Sequence, residues 1–251
     1  MNDYSSIAKT LMDSLQLRVA PVAVCLVDEP PAGVASPQIP APSGCTFWEW
    51  GAATPLVTSA RDHSNCAVGM FTHHMAPSSP AQEKDLNDSL KIFGDLGYVR
   101  PEDIAAIPAL KDEPRYVVYA PLASTPVAPS AVLIFANSRQ GLLVTEAVQQ
   151  VEPGAPPALG RPACAVIPQV INTGKPALSL GCCGARAYLD ILHDDSALWA
   201  LPGNRIGEYA DRIKVMADAN SILTKFHRLR RSDIQAGHSM SVEDSLAAMK
   251  K

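Results

Sequence analysis

The residues in this sequence with the most chemistry to offer are its six cysteines, five of which stand at turns. The stretch "LSLGCCGAR", residues 178–186, puts Cys182 and Cys183 side by side between Gly181 and Gly184, with Arg186 close behind. A cysteine used for packing belongs inside an element, as Cys25 does in "APVAVCLVD", where a free thiol behaves as a small hydrophobe. A thiol at a glycine-bearing turn instead faces whatever occupies the cleft there. Cys45 in "SGCTFWEWG", Cys66 in "ARDHSNCAVG" and Cys164 in "GRPACAVIP" share that setting. No C-x-x-C occurs, so the local spacings of zinc fingers and ferredoxins are missing, and a metal site would have to be assembled from distant segments. Three or four thiolates gathered in that way are the right complement for an iron–sulfur cluster, which takes soft sulfur ligands. Zinc competes as a structural ion. Burial without metal, and thiol catalysis or redox pairing, also stay open on spacing alone.

Other reactive groups lie near these turns. Asp62 and His63 precede Cys66 in "RDHSNC". His63 there suits a ligand or a general acid/base and Asp62 a group that orients it, while the plain alternative is a turn capped by Asp62. Arg186 suits a bidentate clamp on a carboxylate or phosphate, or a structural ion pair. His73 and His74 in "FTHHMAP" are expected in a solvated loop. The segment "NSRQGLL" follows a strand and opens a helix, where backbone N–H groups can hold anions, but no G-x-G-x-x-G or Walker lysine accompanies it.

Elements able to position these residues are legible in the apolar periodicity. Tyr4, Ile7, Leu11 and Leu15 recur at helical spacing. A strand covered on both faces is expected over residues 20–28, followed by a proline-rich loop over 29–44 and a short helix opened by Ser43 over 45–53. Residues 54–71 read as a strand, a polar turn and a glycine-containing segment, and 83–94 as a helix. Residues 115–122 and 130–136 are the clearest strands, and 137–151 a helix capped by Asn137 or Ser138. After a linker over 152–162 come a helix broken near Pro168, a strand over 175–181, and a long helix over 204–223. Strands and helices alternate, so the expectation is one α/β or α+β domain over residues 1–223, a mixed sheet flanked by helices, with a helical or frayed tail over 224–251.

Composition bounds the partners. Of 251 residues, 47 % are hydrophobic and 18 % charged, the balance of a globular chain with a sizeable core. A formal charge of −4 argues against nucleic acid, and the basic run at 225–231 reads as the solvated face of a terminal helix. No apolar run approaches the ~20 residues of a membrane-spanning helix and no signal pattern opens the chain, so a cytoplasmic setting is expected. In that compartment six cysteines point to metal or thiol chemistry, not to a disulfide framework.

The succession "APVAVCLVDEPP", "GCTFWEWG", "TSARDHSNCAVG", "VVYAPLAS", "AVLIFANSRQGLLVTEAV", "TGKPALSLGCCGAR" and "ALPGNRIGEYADRI" resembles the domain-of-unknown-function family 169 of archaea and many, often anaerobic, bacteria, over about residues 14–220. The resemblance implies no activity. It implies cysteines at the places of 45, 66, 164 and 182, with Gly181, Gly184 and Arg186 around the last, Cys25 lying outside the pattern. Successive side chains of an extended chain point to opposite faces. Cys182 is therefore expected to face the cleft, beside the close backbone approach that Gly181 permits, and Cys183 to face the core or the helix behind. The resulting expectation is a metalloprotein whose Cys45, Cys66, Cys164 and Cys182 hold an iron–sulfur cluster, four-iron type suspected, with zinc as the alternative. With one iron open it would be a lyase or hydratase for a small anionic substrate, Arg186 binding the acid and His63 moving the proton. The rival expectation is a metal-free small-molecule-binding or accessory protein; a homo-oligomer is compatible with either.

Overall fold

The computed structural model describes residues 3–77, 79–154 and 156–249. In chain order its elements are α1 (Tyr4–Leu15), β1 (Val22–Val27), α2 (Thr46–Ala53), β2 (Leu56–Thr58), α3 (Ala67–Thr72), α4 (Pro80–Asp95), α5 (Pro101–Ala105) and β3 (Tyr116–Pro121). Then follow β4 (Ala131–Asn137), α6 (Ser138–Val151), β5 (Ala158–Leu159), α7 (Val166–Thr173), β6 (Ala177–Ser179), α8 (Cys183–Tyr188), β7 (Ser196–Pro202), α9 (Ile206–Gln235) and α10 (Val242–Met249).

The strands form one seven-stranded sheet in the order β2-β3-β1-β4-β7-β6-β5. All pairings are antiparallel except β5 with β6, so the sheet is mixed. Apolar side chains cover both faces, which is why β1, β3 and β4 read as continuous hydrophobic runs. Parity along β1 sorts its residues between two cores. Val22 and Val24 join Phe47, Trp48, Tyr119 and Ile167 on the face carrying α2, α3, α7 and α8. Ala23 and Cys25 join Leu11, Val144 and Tyr209 on the face carrying α1, α6 and α9. The result is a single α/β domain of three layers, as expected.

Local chemistry sets the helix starts. Asp3 caps α1 by accepting the Ser6 N–H at 3.0 Å. Asn137 and Gln140 form a reciprocal capping box at the start of α6, at 3.0 and 2.8 Å, matching the cap read from the sequence. Four expectations are corrected. Pro168 does not break a helix: it lies in the first turn of α7, where its missing N–H is unneeded, after a 3₁₀ turn over Ala163–Ala165. Strand β7 was not foreseen, yet it pairs with β4 along seven residues near the middle of the sheet. Helix α3 stands where a glycine-containing segment was expected, and Cys45, not Ser43, occupies the cap position of α2. Helix α9 runs to Gln235, past the helix end expected at residue 223, and meets α10. Among the described residues no helix is long and apolar enough to cross a membrane.

Candidate functional site

Four chain segments deliver thiols to one place. Cys45 ends the loop into α2, Cys66 is the cap residue of α3, Cys164 lies in the 3₁₀ turn before α7, and Cys182 is the cap residue of α8. All four line a single cavity of about 470 Å³ on the sheet face opposite Cys25. Two of them double as helix caps: the Gly69 N–H donates to Cys66 Sγ at 3.3 Å, and the Ala185 N–H to Cys182 Sγ at 3.4 Å. Gly69 is required for this, because a Cβ there would lie 2.8 Å from Cys66 Sγ. Gly181 holds a positive φ of +92° at the turn into α8, a conformation suited to glycine, while Gly184 opens onto free space. Both glycines line the cavity.

The thiols feel one another electrically. Burial pushes Cys45 up to about 12, opposed by its hydrogen bond to Ser43 Oγ, and charge on Cys66 or Cys182 would raise it further. Burial also raises Cys66 and drives Cys164 well above the ordinary thiol range, with further upward pressure on Cys164 from Cys66, Cys182 and Cys45. Cys45, Cys66 and Cys164 therefore rest as neutral thiols. Ionising several at once needs a compensating cation. Among the described residues no group of three or more His, Cys, Asp or Glu side chains is placed to hold a metal ion. Soft sulfur donors are the ligand type that iron–sulfur groups take.

Two histidines lie under this wall. His63 is buried, its Nε2–H donating to Thr58 Oγ1 at 3.2 Å while the Thr58 hydroxyl donates to the Val117 carbonyl at 3.1 Å. Its Nδ1 has no partner and faces Gly44, where a Cβ would come within 3.1 Å of it and 3.6 Å of Cys66 Sγ. His73 is buried as well, which corrects the expectation of a solvated loop; His74 beside it is exposed. His73 Nδ1 donates to the Gly69 carbonyl at 2.9 Å and its Nε2 accepts from the Tyr119 hydroxyl at 3.1 Å. Burial lowers both imidazoles, His73 to about 4 and His63 well below its ordinary value, so both are neutral.

Asp62 and Arg186 are not brought into the cavity wall. The Asp62 carboxylate accepts the Ser59 N–H and hydroxyl at 2.8 and 2.9 Å, the turn-capping alternative, and does not orient His63. The Arg186 guanidinium donates to the carbonyls of Leu180, His193 and Ser196 at 2.6, 3.0 and 3.1 Å, stitching the loop between α8 and β7 to β6. Cys183 is also corrected: it is exposed and lines the cavity beside Cys182, because the chain has already turned into α8 and strand alternation no longer applies.

The far wall went unnoticed in the sequence. Helix α4 buries no residue, yet its Leu90 and Phe93 line the cavity, with Tyr98, Val99 and Ile107 from the segment around α5. Arg161 ties this cap down by donating to the Tyr98 carbonyl, covering the Tyr98 ring at 5.8 Å and approaching Asp103 at 3.8 Å. Three-residue spacing between Leu90 and Phe93 was the available signal, but it looks the same whether a helix faces a core or a cavity.

The fold and the thiol-lined cleft thus define a three-layer α/β protein with a cysteine-walled cavity. The chain belongs to the domain-of-unknown-function family 169, described as uncharacterised ArCR, whose model matches residues 10–212. That span contains all four expected cysteines. Searches of the curated proteins and of the solved structures each returned no match.

Proposed function

We propose that this is a cytoplasmic metalloprotein holding an iron–sulfur cluster, of the four-iron type, through Cys45, Cys66, Cys164 and Cys182. The observation that carries the reading is the meeting of four sequence-distant cysteines on one cavity while Cys25 packs against the opposite face of the sheet. The chemistry of three of them supports it: Cys45, Cys66 and Cys164, whose ionisation burial opposes, are poor free thiolates but good ligands once positive charge is present. Such a group, when bound, supplies electron transfer, or Lewis-acid activation if one iron is left open. The protein's own part is to exclude water and to keep neutral His63 and His73 behind the ligands. The lyase reading with Arg186 as a carboxylate clamp loses support, because three carbonyls already occupy that guanidinium. Anaerobic purification with iron and acid-labile sulfide analysis tests the proposal. Coloured protein with both elements in stoichiometric amount is expected. Colourless protein that takes up neither after anaerobic reconstitution would refute it and leave the zinc site or the metal-free binding protein.

A further inference from the structure

We infer that the cavity between the thiol wall and the α4–α5 cap is a binding site for a small, uncharged, largely apolar molecule with an aromatic or hydrocarbon body. An amphipathic helix normally buries its apolar face against another element. Helix α4 buries nothing: its outer face carries the exposed pairs Lys84–Asp88 and Lys91–Asp95, and its Leu90 and Phe93 look into the cavity. Tyr98 and Ile107 extend that apolar roof, and Tyr188 and Leu180 line the cavity from the α8 side. At about 470 Å³ the space is of the size that takes cofactors and small metabolites and too small for a protein segment of any length.

Charge selects the class of ligand. Among the described lining residues the charged side chains are Arg161 and Asp103. They face each other at 3.8 Å, Asp103 is also held by Arg100 at 2.7 Å, and Arg161 already donates to the Tyr98 carbonyl. His73 has both ring nitrogens engaged. An anionic ligand would meet Arg161 alone, an exposed side chain already engaged with the Tyr98 carbonyl and Asp103, whereas an apolar one gains from covering Leu90 and Phe93. This replaces the small anionic substrate expected from Arg186, and it holds with or without a cluster on the opposite wall.

The test uses metal-free full-length protein and N-phenyl-1-naphthylamine, an uncharged fluorophore. Saturable binding of one probe per chain is expected. Leu90→Asp and Phe93→Asp should each weaken it about tenfold or more, the effect of losing one buried apolar contact. Ile92→Asp, on the exposed side of the same helix, should leave it unchanged. Because α4 has no buried residue, all three variants should keep their circular dichroism and a cooperative unfolding transition. Benzyl alcohol should displace the probe at lower concentration than benzoate, and bound probe should slow alkylation of Cys182 and Cys183. Absence of saturable binding, equal loss in the Leu90 and Ile92 variants, or stronger displacement by benzoate overturns the inference. Iron and sulfide content, measured separately, keeps its failure distinct from failure of the cluster proposal.

Discussion

Replacing Gly69 by alanine pits helix propensity against the placement of one thiol. Gly69 has helical geometry in α3, so propensity alone predicts a gain of about 1 kcal/mol. The added Cβ, however, would lie 2.8 Å from Cys66 Sγ and 3.4 Å from Cys66 Cβ. Relief requires Cys66 to rotate, which breaks its hydrogen bond from the Gly69 N–H, worth about 1 kcal/mol, and crowds a packed wall at a cost of roughly 1–3 kcal/mol. The net expectation is a loss of about 1–3 kcal/mol. Gly184 provides the control, since it too is helical but its Cβ would meet nothing within 4 Å. Gly184→Ala should therefore be neutral or gain up to about 1 kcal/mol. Urea unfolding of both metal-free proteins under reductant reads the difference, and iron uptake after reconstitution should fall only in the Gly69 variant. If both alanines shift the midpoint the same way, the thiol is not held as described.

Three other outcomes follow from the same geometry. Cys182→Ser should abolish iron and sulfide binding by replacing a soft ligand with a hard hydroxyl, whereas Cys25→Ser should retain both. The second change should cost only about 1 kcal/mol, because a hydroxyl there can use the Thr125 and Val127 partners of the thiol; equal metal loss in both variants would show the cysteines wrongly sorted. Arg186→Gln should lower stability by about 1–3 kcal/mol through the carbonyls it leaves unpaired, without changing probe affinity, and a loss of affinity at unchanged stability would restore the clamp. In metal-free protein, acid should unfold the chain by way of the two buried histidines. As pH falls below 6.5 the unfolded chain binds protons that folded His73, at about 4, refuses, so stability present above 6.5 is lost down to about pH 4 by roughly 3 kcal/mol for that residue. His63 shifts in the same direction and steepens the slope. Urea midpoints against pH measure it, and an unchanged limb in His73→Phe would refute the assignment.

The parts of this fold that could be read ahead are those where local pattern and tertiary demand agree. Strands β1, β3 and β4 are long apolar runs because both faces of the sheet are covered, and α6 carries its own cap. Strand β7 was missed because "SALWALP" is poor in β-branched residues, and its conformation comes from lying between β4 and β6. The setting of the cysteines was legible: Cys25 lies inside an apolar strand, turn chemistry marks the other five, and the family resemblance singles out four of those. Their meeting on one cavity was not, since it depends on α2, α3, α7 and α8 stacking on the same face. His73 was missed for a similar reason. Its burial follows from the Tyr119 hydroxyl across the sheet, a contact 46 residues away.

The two walls of the cavity bear on each other through dielectric. Cys45, Cys66 and Cys164 resist ionisation, because burial and charge on neighbouring thiols both oppose thiolates there. The cap wall offers apolar surface and the exposed Arg161, which approaches an Asp103 already held by Arg100. A neutral molecule seated under the cap would expel water from in front of the thiol wall, lowering the local dielectric and raising the cost of any uncompensated thiolate at Cys45, Cys66 or Cys164. Without a metal group the ligand should therefore hold the thiols protonated and slow to alkylate beyond simple shielding. With one bound, the same exclusion of water should strengthen the attraction between thiolates and metal. The ligand should then slow removal of iron by chelators while also slowing alkylation of the metal-free form. Faster chelator stripping in the presence of the probe would show that the ligand and the metal compete for the thiol wall and do not share the cavity.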